Sequence, residues 1–286
     1  MIRIYGASAL LLALLLPLAA QAQDLQLSPD TAVELSGEVL RDESAARDDL
    51  AGNVELVDTG SLPGSADLIA FHRQEDGDLL LALDRSAELG GAIVERGDVV
   101  RFDGSRFQLE LNADAAGLPD GVLIDAVARI GTKLAFSFDT TLRLDGTVVE
   151  DEDLVRFDQG LTLIFDGSAA GVPQGLDLDG ANRLEDDRLQ LSFDGSGSIG
   201  GVRFDDEDVL EHDPDRGTWS LAYDGSARHG GWPAADLDGL FAPGSLDDRT
   251  AGGGCSMHPE AGPGFGWLVL LLAAGLLFRL ARVETP

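Results

Sequence analysis

The chain repeats itself. Leu81-Ala82-Leu83-Asp84, Phe136-Ser137-Phe138-Asp139 and Leu191-Ser192-Phe193-Asp194 follow one another at intervals of 55 residues, and Leu27-Ser28-Pro29-Asp30 lies 54 residues before the first. Val99-Val100-Arg101-Phe102-Asp103, Leu154-Val155-Arg156-Phe157-Asp158 and Val209-Leu210-Glu211-His212-Asp213 keep the same period, with Ala45-Ala46-Arg47-Asp48-Asp49 as a faded copy. Leu163-Ile164-Phe165-Asp166 is answered by Leu221-Ala222-Tyr223-Asp224, and Ile124-Asp125-Ala126 by Leu178-Asp179-Gly180 and Leu237-Asp238-Gly239. A unit this short cannot bury its own apolar face, so neighbouring copies must cover one another.

Each unit carries four short stretches that alternate apolar and polar, such as Thr162-Leu163-Ile164-Phe165, separated by Gly, Asp, Pro and Ser. That is the period of half-buried strands, and the class is all-β. The count is informative. Residues 25–53 hold the second half of a unit, 54–106, 107–160 and 161–217 are complete units, and 218–245 hold a first half. Half, three and half make four. The expectation is a four-bladed β-propeller with a composite closing blade, in which the two chain ends meet. An antiparallel barrel and an open β-array are the alternatives. Leu191-Ser192-Phe193-Asp194 with Asp205-Asp206-Glu207-Asp208-Val209, and Asp151-Glu152-Asp153-Leu154-Val155-Arg156-Phe157-Asp158, resemble the repeats of secreted bacterial proteins that carry C-terminal sorting tails. That family is uncharacterised, so the resemblance implies an architecture and no activity.

The two ends are expected to be addresses. Residues 1–22 have the positive start (Arg3), the apolar run Ser8–Ala20 and the Ala20-Gln21-Ala22 pattern of a signal peptide cleaved before Gln23. A Gly-rich linker, 246–263, precedes a tail over 264–282 expected to enter the membrane, whose apolar run Gly264–Phe278 is slightly short for a bilayer core, and residues 283–286 form a short end. Arg279 and Arg282 favour an inside-facing end. Gly252, Gly253, Gly254 and Cys255 stand before the apolar stretch. The arrangement resembles the glycine-glycine class of C-terminal sorting signals, processed by rhomboid-like proteases. It differs in the cysteine directly after the glycines and in its separated arginines. The resemblance implies the export machinery and an intramembrane sorting protease as partners, removal of the tail, and Cys255 as a lipidated or cleaved position. A plain single-pass anchor with an incidental cysteine is the other reading.

The formal net charge is −31, and the acids lie almost wholly between the two ends. Such a chain repels phosphate backbones, which argues against nucleic acid. The single cysteine excludes an intrachain disulfide and a Cys-based zinc site. The acids recur in Asp-Gly-Ser turns and in the clusters Asp151-Glu152-Asp153 and Asp205-Asp206-Glu207-Asp208. Hard cations such as Ca²⁺ take six to eight oxygens, so these seven residues are candidate calcium ligands. No EF-hand spacing accompanies them. The other reading gives them to turns and solvation. Asp30, Asp84, Asp139 and Asp194 recur fourfold, as a ring of structural positions or a channel lining would. Arg47, Arg101 and Arg156 recur as structural positions in Arg–Asp bridges between strands.

No catalytic motif is present, and the histidines fall at unrelated repeat phases. The expected function is therefore a non-catalytic, exported cell-surface or secreted β-repeat protein that binds protein, glycan or Ca²⁺. A secreted glycosidase-like hydrolase and a structural envelope protein are the alternatives. For the hydrolase, Glu211, His212, His229 and Trp232 of the irregular last unit would have to cluster.

Overall fold

The computed structural model describes residues 24–243, apart from 75, 145 and 185. The leader 1–22, the motif Gly252–Cys255 and the apolar stretch 264–282 lie outside the described residues. Among the described residues, no helix is long and apolar enough to cross a membrane.

Among the described residues, sixteen strands form four antiparallel four-stranded sheets. From the inside outwards, the second blade is Leu68–Arg73, Leu79–Leu83, Val99–Phe102 and Phe107–Leu111. The third is Val127–Ile130, Lys133–Phe136, Leu154–Phe157 and Leu161–Phe165, and the fourth is Gly180–Arg183, Leu189–Ser192, Val209–Asp213 and Thr218–Tyr223. The first blade is composite: Leu237–Phe241 pairs with Leu25–Pro29, which pairs with Ala45–Asp48 and then Val54–Val57. The four innermost strands pack side by side in a closed circle. The fold is a four-bladed β-propeller.

The blades are cut from the chain in another phase than the sequence units. Thr218–Tyr223 pairs with Val209–Asp213 and stays in the fourth blade. The clasp is therefore one C-terminal strand with three N-terminal ones, not half and half. A repeat fixes the length of a unit but says nothing about which hydrogen-bond ladder its first strand joins.

Each unit also holds more than four strands. A small outlying hairpin follows the second strand of every blade, at Val33–Leu40, Ala87–Val94, Leu142–Val149 and Gly197–Phe204. Ser36-Gly37, Gly90-Gly91 and Gly200-Gly201 turn these hairpins with both central residues at positive φ. That is the two-residue turn whose twist matches antiparallel strands.

The second strand of each blade is sheathed on both faces. Leu79–Leu83 (LLLAL) is buried throughout, as is Leu25–Pro29. The cores lie between blades: Phe71 and Leu81 pack with Phe241 and Ala45, and Leu154 and Phe165 with Leu191 and Phe193. Near the axis the innermost strands are so close that only small residues fit. A Cβ on Gly239 would stand 2.9 Å from the Phe71 amide nitrogen, and one on Gly180 would stand 3.0 Å from Leu240 Cδ2. Ala70 and Ala126 occupy the same phase in the other two blades, fully buried.

Candidate metal centre on the ring axis

All four innermost strands begin at the same end of the ring. Residues Asp67, Asp177 and Asp236 precede three of them, and Asp125, Asp179 and Asp238 follow two positions later in the repeat. The pairs Asp177-Leu178-Asp179 and Asp236-Leu237-Asp238 have strand period, so each sends two carboxylates to one face while the leucine enters the core. Leu178 and Leu237 are fully buried. One carboxylate oxygen each of Asp125, Asp177 and Asp179 lies within 4.8 Å of the others.

These are costly positions for charge. Asp125 is 7% exposed and Asp179 8%. Both oxygens of Asp125, Oδ2 of Asp179 and Oδ1 of Asp67 have no donor in hydrogen-bonding geometry. Burial raises the Asp125 and Asp179 carboxyls well above the usual range, and neighbouring aspartates raise them further. The nearby amides of Asp125 itself and of Ala126 offset this only in part. Burial likewise brings Asp67 and Asp177 to about 7, Asp236 to about 8 and Asp238 to about 9. Asp42, Asp151 and Asp206, equivalent in three blades, add their charge to Asp67, Asp177 and Asp236 respectively. Arg85 stands at the rim, its guanidinium on Asp84 Oδ2 at 2.6 Å. Three of the four innermost strands end on, or next to, an arginine (Arg73, Arg129 and Arg183), and Arg129 and Arg183 are paired there with Glu110 and Asp187.

Six carboxylates in a small, partly dry volume cannot all be ionised without a counter-charge. Protons or a hard cation must supply it. The oxygens suit Ca²⁺, which takes irregular sets of carboxylates, better than Mg²⁺, which demands an octahedron.

Asp30, Asp84, Asp139 and Asp194 border the axial group, where their charge helps to raise Asp67, Asp125, Asp177 and Asp236, and they also act as clamps. Each Oδ1 accepts the amide just before an innermost strand, from Asp236, Asp67, Leu123 and Asp177, at 2.7 to 2.8 Å. Asp153 and Asp208 are also occupied by backbone: Asp153 takes the amides of Glu150 and Gly167, and Asp208 those of Asp205 and Gly225. Asp98 does the same in the second blade with Glu95 and Ala113. Glu152 and Glu207 lie buried beneath Gly167 and Gly225, with their carboxyls raised by burial to about 7. Asp205 contributes its amide and carbonyl to a turn. Of the two clusters, only Asp151 and Asp206 act on the axial group. Asp166 and Asp224 cap the short helices Gly167–Ala170 and Gly225–Arg228 instead of forming simple turns, as Asn112 caps Ala113–Ala116.

Arg47 bridges Asp24 and Glu55, and Arg101 bridges Asp78. Arg156 has no such acid. The four residues of the hydrolase reading divide into two groups. Glu211 pairs with Arg188 and His212 stacks on Trp219, whereas His229 and Trp232 join Asp48 and Tyr223.

The axial aspartates were visible in the Ile124-Asp125-Ala126, Leu178-Asp179-Gly180 and Leu237-Asp238-Gly239 landmarks. They served there only as strand markers. The overlooked signal is the Asp-Leu-Asp spacing followed by Gly, which places paired acids where backbones crowd.

No protein-family model matches the chain, and no curated protein matches it. Among solved structures, the extracellular domain of the BT4673 one component system from B. thetaiotaomicron aligns at 12% identity and TM-score 0.29, over 68% of this chain and 22% of that one. YCF48 from Cyanidioschyzon merolae aligns at 11% identity and TM-score 0.30, over 64% and 54%. A protein of unknown function from Bacteroides caccae aligns at 9% and 0.33, over 71% and 73%. The chain thus spans about a fifth to a half of the length of the first two. At these scores the likenesses carry no functional argument, and the propeller assignment rests on the chain's own sheet topology.

Proposed function

We propose that this is an exported, non-catalytic β-propeller that holds a calcium ion at the acidic end of its ring axis and presents its outer faces to a surface partner. Export rests on the signal-like residues 1–22, and processing of the tail by an intramembrane protease on the Gly252–Cys255 motif. The observation that carries the cation reading is the meeting of Asp125, Asp177 and Asp179 with buried carboxylate oxygens that no donor satisfies. Leaving such oxygens charged and unpaired costs several kcal/mol, and a divalent ion removes that cost for the whole group at once. Export supports calcium over rarer cations, since extracellular modules bind it with millimolar to submillimolar affinity.

Calorimetric titration of the full-length protein with CaCl₂ at pH 8 tests this. Saturable binding that is lost in Asp125→Asn/Asp179→Asn, with the fold retained by circular dichroism, is expected. No heat and no change in melting temperature at millimolar Ca²⁺ would remove the proposal.

A further inference from the structure

One repeat position joins the second and third strands of a blade by a charge pair, and it changes from blade to blade. In the first blade Arg47 Nε donates to Asp24 Oδ2 at 2.7 Å, and in the second Arg101 reaches Asp78 at 3.2 Å. In the fourth the pair is inverted, Arg188 with Glu211. Strand register places Lys133 in the third blade where Asp24, Asp78 and Arg188 stand in the others. Lys133 turns to Asp158 at 2.7 Å. Opposite Arg47 on the outer strand is Glu55, but opposite Arg156 is Thr162. Arg156 has therefore lost both acids that its counterpart in the first blade keeps, and its buried Nε has no hydrogen-bond partner.

Asp158, already held by Lys133, is within electrostatic reach of Arg156, and the guanidinium opens on a cleft of about 630 Å³ between the third and fourth blades. Ile130, Ile164 and Leu189 give it apolar walls. His212, 7% exposed, lines it with an unpartnered Nδ1, and burial keeps that imidazole neutral by lowering its pKa. Arg183 is neutralised by Asp187, and Asp166 is engaged as a helix cap by the Ala169 amide. The volume suits a small molecule. Arg156 offers a planar fork for a carboxylate. Asp166 and Asp187 on the lining oppose a doubly charged phosphate.

We propose that this cleft binds a monocarboxylate with an apolar body, its carboxylate on Arg156 and its body against Ile130, Ile164 and Leu189. The site is independent of the axial cation.

Saturation-transfer NMR on the full-length protein tests it, with 4-phenylbutyrate as probe and 4-phenylbutanol as its uncharged counterpart, each at about 1 mM. Transfer to the acid and none to the alcohol is expected. Arg156→Gln should weaken binding about tenfold or more. Lys133→Asp restores the acid found in the first two blades. It should abolish binding by occupying Arg156, with the melting temperature unchanged or raised. Equal transfer to acid and alcohol overturns the proposal. So does absence of transfer to the acid, or undiminished binding in Lys133→Asp.

Discussion

His229 Nε2 lies 2.9 Å from Asp48 Oδ2, across 181 residues of chain. The same oxygen accepts the Tyr223 hydroxyl at 3.0 Å, and Trp232 Nε1 donates to that hydroxyl at 3.0 Å. Asp48 Oδ1 accepts the Leu50 amide at 2.7 Å. On the other side of the ring, His229 Nδ1 is 3.1 Å from Ser36 Oγ. This buried network joins the N-terminal strands of the composite blade to the chain beyond the fourth, and so it latches the ring. The phase that Asp48 occupies holds Phe102 and Phe157 in the next two blades. At this phase the seam between first and last blades adds a polar network to its apolar packing, where the next two blades place an aromatic ring.

Asp48→Ala leaves the Tyr223 hydroxyl and the His229 imidazole buried without their acceptor. The expected cost is about 2–4 kcal/mol. Tyr223→Phe should cost about 1 kcal/mol, as it removes only one donor from Asp48. Urea unfolding curves of the two variants check the order. Equal and negligible losses would show that the latch is decorative.

The axial carboxylates predict an unusual pH dependence. Their folded pKa values are raised, with Asp67 and Asp177 near 7, Asp236 near 8 and Asp238 near 9. In the unfolded chain they titrate near 4. Between these limits the folded state holds more protons, so stability is greatest at low pH and falls as pH rises through the window. In chelator, the melting temperature should therefore fall from pH 5 to pH 9. Ca²⁺ at a hundredfold excess over its Kd should restore about 5–10 °C at the alkaline end and flatten the profile. Asp125→Asn/Asp179→Asn should reduce the slope without calcium.

The glycines that open two of the short helices are required by close approach. A Cβ on Gly167 would stand 2.5 Å from the Glu152 carbonyl oxygen, and one on Gly225 would stand 2.6 Å from that of Glu207. Gly225→Ala should destabilise by about 1–3 kcal/mol. At Gly230 nothing lies within 4 Å of the place a methyl would take, and Gly230→Ala should be close to neutral. Thermal melts of the two variants compare them directly.

The inverted pair of the fourth blade can be turned back. Arg188→Asp alone sets two acids together, and Glu211→Arg alone sets two arginines together. The double variant recreates the arrangement of the first two blades. Each single substitution should lower stability, and the double should recover it, with a coupling of about 0.5–1 kcal/mol for this half-exposed pair. A double-mutant cycle from denaturant melts measures it.

The ring and its fourfold count were legible because a 55-residue period with strand-like alternation admits few closed solutions. Blade phase was not legible. Thr218–Tyr223 carries the same pattern whether it joins the strand before it or the strand after it, and only ladder geometry decides. The outlying hairpins announced themselves in Ser36-Gly37 and Gly90-Gly91, but two three-residue strands are too short to raise a periodic signal. At the candidate site, residue type was legible and partner was not. Asp153 and Asp125 are both aspartates in recurring motifs. The first is saturated by the amides of Glu150 and Gly167, the second has no donor in hydrogen-bonding geometry, and that difference exists only in three dimensions.

The innermost strand of the composite blade, Leu237–Phe241, is also the last strand among the described residues. It fills the final gap around the axis and carries Asp236 and Asp238 into the acidic end. Without this strand the ring has an open seam and an incomplete set of carboxylates. Ring closure and assembly of the full acidic group become one event, timed by the arrival of residue 241. A bound cation would then act as a mark of completion, holding the newest segment against the oldest.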